Sequence, residues 1–165
     1  MTNILMNTGL TRLIALSGLA AVMATAAWAQ SNTSGSYSQQ ESITGRNGKT
    51  ATYQDNSSWG NGAYINNREV TGFNGHTATS STTASRAPGS TSRQTTVTGF
   101  DGRTSIYKDN RWWGNGAYTN TKSYTGVNGK TGTDTVTRSG GWVTNTFTGP
   151  SGNSRTLSHR ERGRR

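Results

Sequence analysis

Cysteine is absent from the whole chain. No disulfide can staple the fold, no thiolate can act as nucleophile or metal ligand, and no lipidated cysteine can anchor it. Aliphatic residues are nearly as scarce. Residues 30–165 hold 12 Leu, Ile, Val and Phe among 136, and Leu157 is the single leucine. That share is too low for a thick hydrophobic core. Only two histidines occur, His76 and His159, and neither stands in a recognisable Ser/His/Asp spacing. No catalytic set is present, so an enzyme is not expected. Asp55, Asp101, Asp109 and Asp134 lie one by one in turn-like contexts, short of the several carboxylates that a calcium loop gathers. No metal site and no cofactor are expected.

One long apolar run exists, from Leu13 to Ala27. Arg12, the only charge in the first 29 residues, precedes it, and Ala27-Trp28-Ala29 closes it. The pattern predicts a secretory signal peptide over 1–29, cleaved before Gln30. The run is too short to span a bilayer comfortably. The expected product is therefore exported, periplasmic or extracellular at the cell surface, with no transmembrane segment in the mature chain.

What the chain has instead is a repeat. Thr44-Gly45-Arg46-Asn47-Gly48-Lys49-Thr50 returns as Thr-Gly-x-Asn/Asp-Gly-x-Thr from Thr71, Thr98 and Thr125, each time 27 residues on, and Thr148-Gly149-Pro150-Ser151-Gly152 is a degenerate fifth copy after 23. A fixed period means one supersecondary unit used again. The units at 43–69 and 97–123 share 14 of 27 positions, including Trp59-Gly60-Asn61-Gly62-Ala63-Tyr64 and its return as Trp113 to Tyr118, so the deeper period is 54. Gln30 to Ser42 is Ser/Gln-rich and reads as a flexible arm. The β-repeat domain is expected over 43–157, with 158–165 as a basic disordered tail.

Each unit reads as two strands and two turns. Asn-Gly or Asp-Gly marks one reversal, and Trp-Gly-Asn-Gly or Pro-Gly the other. The fold class is all-β: antiparallel hairpin repeats in a meander or single-layer sheet of eight or nine strands, with a β-solenoid as the alternative. Turn type decides the faces. A three-residue loop with a glycine bulge puts Ile43, Ala51 and Tyr53 on one side and Thr44, Thr50 and Thr52 on the other. A two-residue loop would mix them, and register follows apolar segregation. One face is expected to be aromatic and thinly apolar, the other threonine, with Ile106 as an exception.

Binding candidates follow from aromatic and basic residues. Trp59 and Tyr64 recur as Trp113 and Tyr118, and Trp112 is added beside Trp113. Such rings can stack on sugars or bases. In a chain so poor in aliphatics they are also the expected small core. Adjacent strand residues face opposite ways, so one of Trp112 and Trp113 is expected to be exposed. Lys49, His76, Arg103 and Lys130 take equivalent places in successive units and would form a ladder with steps of roughly 10 Å. Arg160, Arg162, Arg164 and Arg165 make the end of the chain basic. The formal net charge is +10. The excess favours anionic polysaccharide, surface lipid or nucleic acid as partners, or serves solubility alone. Unprotected strand edges raise self-association.

The phrases ITGRNGKTATY, VTGFNGHTATS and VTGFDGRTSIY resemble repeats in uncharacterised exported proteins of Gram-negative bacteria, over residues 43–156. The resemblance implies an exported repeat protein and brings no activity. The expected function is structural or surface-interacting, in envelope, matrix or adhesion; the alternatives are an anionic glycan or nucleic-acid binding module and a self-assembling fibre subunit.

Overall fold

The computed structural model describes residues 34–161. The expected signal peptide, and Arg162, Arg164 and Arg165, lie outside them. Ten strands follow in chain order: β1 (Gly35–Thr44), β2 (Thr50–Gly60), β3 (Ala63–Thr71), β4 (Thr77–Ala87), β5 (Ser90–Thr98), β6 (Thr104–Gly114), β7 (Ala117–Thr125), β8 (Thr131–Ser139), β9 (Trp142–Thr148) and β10 (Ser154–Arg160). They form one open sheet in the order β1 to β10, every neighbour antiparallel. This is the single-layer meander and not the solenoid. Among the described residues no helix is long and apolar enough to cross a membrane.

The two turn chemistries alternate between the two ends of the sheet. At one end the Thr-Gly-x-Asn-Gly motif closes as a three-residue loop. The Gly45 amide donates to the Lys49 carbonyl (2.8 Å) and the Gly48 amide to the Gly45 carbonyl (3.0 Å), with Gly48 left-handed at φ +74°. That is a type I turn followed by a glycine bulge. The Asn or Asp side chain of the motif braces the loop from within. Asn47, Asn74, Asp101 and Asn128 each accept, through Oδ1, the amide two residues on, at 3.0–3.2 Å. At the other end Asn61-Gly62 and Asn115-Gly116 turn with both residues at positive φ, the type I′ geometry that matches strand twist.

Register then sorts the side chains as the sequence leads one to expect. Ile43 pairs with Ala51, Thr44 with Thr50, Val70 with Ala78 and Thr71 with Thr77. Hydroxyls bond across the threonine face, at 3.0 Å for Thr44–Thr50 and for Thr71–Thr77, and 2.9 Å for Thr98–Thr104. Each such pair contributes only ~0.2–1 kcal/mol. Ile106 does lie on this face, opposite Thr125, and Ile65, Trp112 and Trp142 join it.

Two segments depart from the expected boundaries. Gly35 to Ser42, expected as a flexible arm, belongs to β1, and Ser158 to Arg160, expected in a disordered tail, belongs to β10. They account for the rise to ten strands. Gly35–Thr44 is in register with β2 over its whole length. Counted back from Thr44 as β3 is from Thr71, Tyr37 falls at the place of Tyr64, Gln39 at Asn66 and Glu41 at Arg68. β1 is thus another odd-numbered strand of the same repeat.

The core also departs from expectation. The buried apolar residues are Ala51, Val70, Ala78, Ala84 and Val143, and the buried polar ones Asp55, Asn66, Thr82 and Asn120. Cross-strand pairing places all of them on the aromatic face, with Thr82 directly across from Asn66. The tryptophans are not the core: Trp59 is 42% exposed and Trp113 39%. With one layer and no opposing sheet, a large ring has nothing to sink into. It covers small neighbours instead.

Candidate functional site

Strand pairing makes two equivalent aromatic pairs. Trp59 on β2 lies directly across from Tyr64 on β3, and Trp113 on β6 directly across from Tyr118 on β7. The type I′ turns two residues away fix both pairs at the same end of the sheet. The pairs stand four strands apart, roughly 19 Å by strand spacing. Around the second pair the repeat has diverged. Arg138 on β8 is the cross-strand neighbour of Tyr118, and its guanidinium carbon lies 5.9 Å from the ring centroid. That is cation–π range. Arg138 also meets Glu161 at 3.7 Å.

Below each pair sits a polar network built on the same period. Asp55 accepts from Arg68 Nε at 2.9 Å, from Asn66 Nδ2 at 2.5 Å and from the Tyr53 hydroxyl at 3.1 Å. Burial pushes the Tyr53 hydroxyl up, and the charge of Asp55 and the hydrogen bond to it add to the rise, against the charge of Arg68. In the second copy Asp109 accepts from Arg111 Nη2 at 2.8 Å and from Asn120 Nδ2 at 2.7 Å. Burial pushes the Asp109 carboxyl up, but the hydrogen bonds from Arg111 and Asn120 and the charges of Arg111 and Lys122 outweigh it. The group titrates below its ordinary value. Asp109 is therefore held ionised as an anchor for cations and amides, the opposite of what a general acid needs. Turn-like context makes Asp55 and Asp109 look local in the sequence. The signal that could have found the network is the joint recurrence of Asp55 with Asn66 as Asp109 with Asn120.

A row of alternating charge crosses the same face. Arg93, Asp109, Lys122 and Asp134 are successive cross-strand partners on β5, β6, β7 and β8. Arg93 Nε and Asp134 Oδ1 are buried there without a hydrogen-bond partner.

The other candidates are not gathered with the rings. Lys49, His76, Arg103 and Lys130 immediately follow the three-residue loops, exposed and at the far end of the sheet from Trp59, Tyr64, Trp113 and Tyr118. Basic ladder and aromatic pairs are thus separate features. Trp112 emerges on the threonine face between Ser90 and Thr119. Arg160 is on that face too, directly across from Trp142. Among the described residues no group of three or more His, Cys, Asp or Glu side chains could hold a metal ion. Set against known proteins, the chain matches no family model, no curated protein and no solved structure.

Proposed function

We propose that this is an exported, non-enzymatic structural protein that works by surface contact, in an envelope, matrix or adhesion role. The observation that carries the reading is the single-layer sheet with Trp59, Trp112, Trp113 and Trp142 all substantially exposed. Large rings held at fixed positions on a sheet and left this exposed are contact groups, beyond the cover that they give to small neighbours. The carboxylates of Asp55 and Asp109 are tied into ion pairs and accept hydrogen bonds from the Asn66 and Asn120 amides, which supports a scaffold role for them. The test is co-sedimentation of residues 30–165 with isolated cell envelopes and with insoluble polysaccharide. Retention in the pellet supports the reading. A chain that stays in the supernatant throughout, or a turnover abolished by one substitution, overturns it.

A second reading is favoured by one feature, the stacking of Arg138 on Tyr118 beside Trp113. A cation and two rings on one surface suit an anionic glycan or a nucleic-acid strand. Binding of heparin-like polymer or single-stranded DNA that weakens with salt would support it.

A further inference from the structure

The two edges of the sheet complete each other's repeat. In every internal pair joined by a two-residue turn, the third residue of the even strand meets the last residue of the next odd strand. The pairs are Thr52↔Thr71, Thr79↔Thr98, Ile106↔Thr125 and Thr133↔Thr148. Among the described residues β10 is an even strand with no successor, and β1 an odd strand with no predecessor. The same rule carried across the edges sets Thr156 of one copy opposite Thr44 of a second. Leu157 then meets Ile43, Ser158 meets Ser42, His159 meets Glu41, and Arg160 meets Gln40.

Two independent features agree with that register, and a third agrees with an edge left open to pairing. Backbone polarity is the first. The Gly45 amide points to β2 and the Glu161 amide to the carbonyl of Gly141, the turn residue just before β9. By alternation, the even-numbered residues of β1 and β10 direct their N–H and C=O groups outward. The register pairs even with even, so the donors and acceptors of both edges face each other. Side-chain chemistry is the second. Leu157 is 57% exposed on the aromatic face and falls against Ile43, which occupies the place of Val70. Glu41 occupies the place of Arg68, and His159 that of Asp55, so the internal Asp55–Arg68 contact returns with its acidic and basic sides exchanged. Edge composition is the third. β1 has no proline, no lysine and one charge, Glu41, in ten residues. Solitary edge strands are normally blunted by such residues.

We propose that copies of this chain associate head to tail, β10 of one adding to β1 of the next. Ten strands is an even number, so each added copy keeps the orientation of the last. The contact is heterologous and does not consume itself, and repetition gives an open filament. The interface runs from Thr156–Arg160 of one copy against Gln40–Thr44 of the next, so growth depends on concentration. The inference rests on the structural reading of function, which names no partner.

Proline tests it, because proline fits an edge strand where the N–H faces outward. Ser42→Pro disables the β1 edge and Ser158→Pro the β10 edge, each leaving the ladder to its own neighbour intact. Sedimentation velocity on the protein as recovered from the producing cell is expected to show species growing with concentration. Each variant alone is expected to stay monomeric, and an equimolar mixture to form dimers and nothing larger. Dimers in the mixture also prove that both variants fold. Leu157→Lys, at an exposed position, is expected to shift wild-type growth to roughly tenfold higher concentration, the equivalent of one buried apolar side chain's contribution. A wild-type chain monomeric throughout, or variants that assemble alone through β1–β1 or β10–β10 contacts, overturns the proposal. Envelope binding by a chain that stays monomeric would sink this inference and leave the surface-contact reading standing.

Discussion

Gly35 of β1 lies directly across from Trp59 of β2, and the indole covers it so closely that an added Cβ would stand 2.6 Å from Cζ2 and 2.8 Å from Cε2. An edge glycine under a cross-strand aromatic ring is a recognised way of holding an outer strand in register. Here it pins the start of β1. Gly35→Ala is expected to push the indole outward and cost about 1 kcal/mol, the low end for overpacking because the ring has solvent to move into. The Trp59 indole N–H resonance should shift, and the urea midpoint should fall. An unchanged resonance would mean that the ring does not rest on Gly35.

Equivalent glycines in the two type I′ turns are not equivalent in space. Gly62 and Gly116 both hold left-handed φ, +73° and +72°. A Cβ on Gly62 would meet the Arg86 carbonyl oxygen at 2.6 Å, while one on Gly116 meets nothing within 4 Å. Both alanine variants carry the left-handed penalty of ~1–2 kcal/mol. Gly62→Ala should add a backbone clash of about 1 kcal/mol or more. Comparing the two by chemical denaturation checks this, and equal losses would contradict the stated geometry.

Asn66, 5% exposed, gives Asp55 a hydrogen bond at 2.5 Å and Ser57 another at 2.7 Å. Asn66→Ala leaves a buried carboxylate oxygen short of a donor, at a cost of ~1–3 kcal/mol. Asn66→Asp should cost at least as much, since it sets a second carboxylate beside the first. Asp55→Asn combined with Asn66→Ala should recover part of the loss, a coupling that a double-mutant cycle reads directly.

How much of this is legible in the sequence depends on which signal each part rests on. The turn type and the two faces are legible, because Asn-Gly loops and the alternation of Thr with Ala, Tyr and Val carry a period of two. β1 is not, because its alternation is of serine and glutamine against Tyr37, Gln39, Glu41 and Ile43, and no apolar pattern stands out. β10 resembles a tail for the same reason: an edge strand tolerates charge on both faces, so Arg155, His159 and Arg160 give no strand signal. Assigning Trp59 and Trp113 to a core assumes a second layer that does not exist. Lys49 and Trp59 are close in sequence yet lie at opposite ends of the sheet, which only the strand length between their turns decides.

Asp109 makes stability depend on acid. Its folded pKa lies below the ordinary carboxylate value, held there against burial by Arg111, Asn120 and Lys122. An unfolded chain therefore binds a proton at Asp109 more readily than the folded one. The stabilisation is fully present above the unfolded value, ~3.9, and is lost as pH falls through the folded value. Asp109→Asn should remove that part of the acid sensitivity, so that mutant and wild-type urea midpoints converge as pH drops below ~4. A gap that stays constant with pH would deny Asp109 its depressed titration.

The separation of rings from basic ladder yields the sharpest test of how the chain holds a polyanion. If the aromatic end is the contact, Tyr118→Ala and Arg138→Ala should each weaken heparin-like polymer or single-stranded DNA binding. Loss of one stacked ring is worth ~1–3 kcal/mol, about five- to a hundredfold in Kd. Replacing Lys49, Arg103 and Lys130 together by alanine should then leave the affinity within about threefold while lowering its salt dependence little, because those side chains sit at the other end of every strand. The reverse outcome assigns binding to the loops: loss with the triple variant, a salt slope reduced by roughly one for each phosphate contact removed, and indifference to Tyr118. Neither set touches a buried group, since Lys49, Arg103, Lys130 and Arg138 are exposed and Tyr118 half-buried. A change in affinity therefore reports the surface that makes the contact, and unfolding does not confuse it.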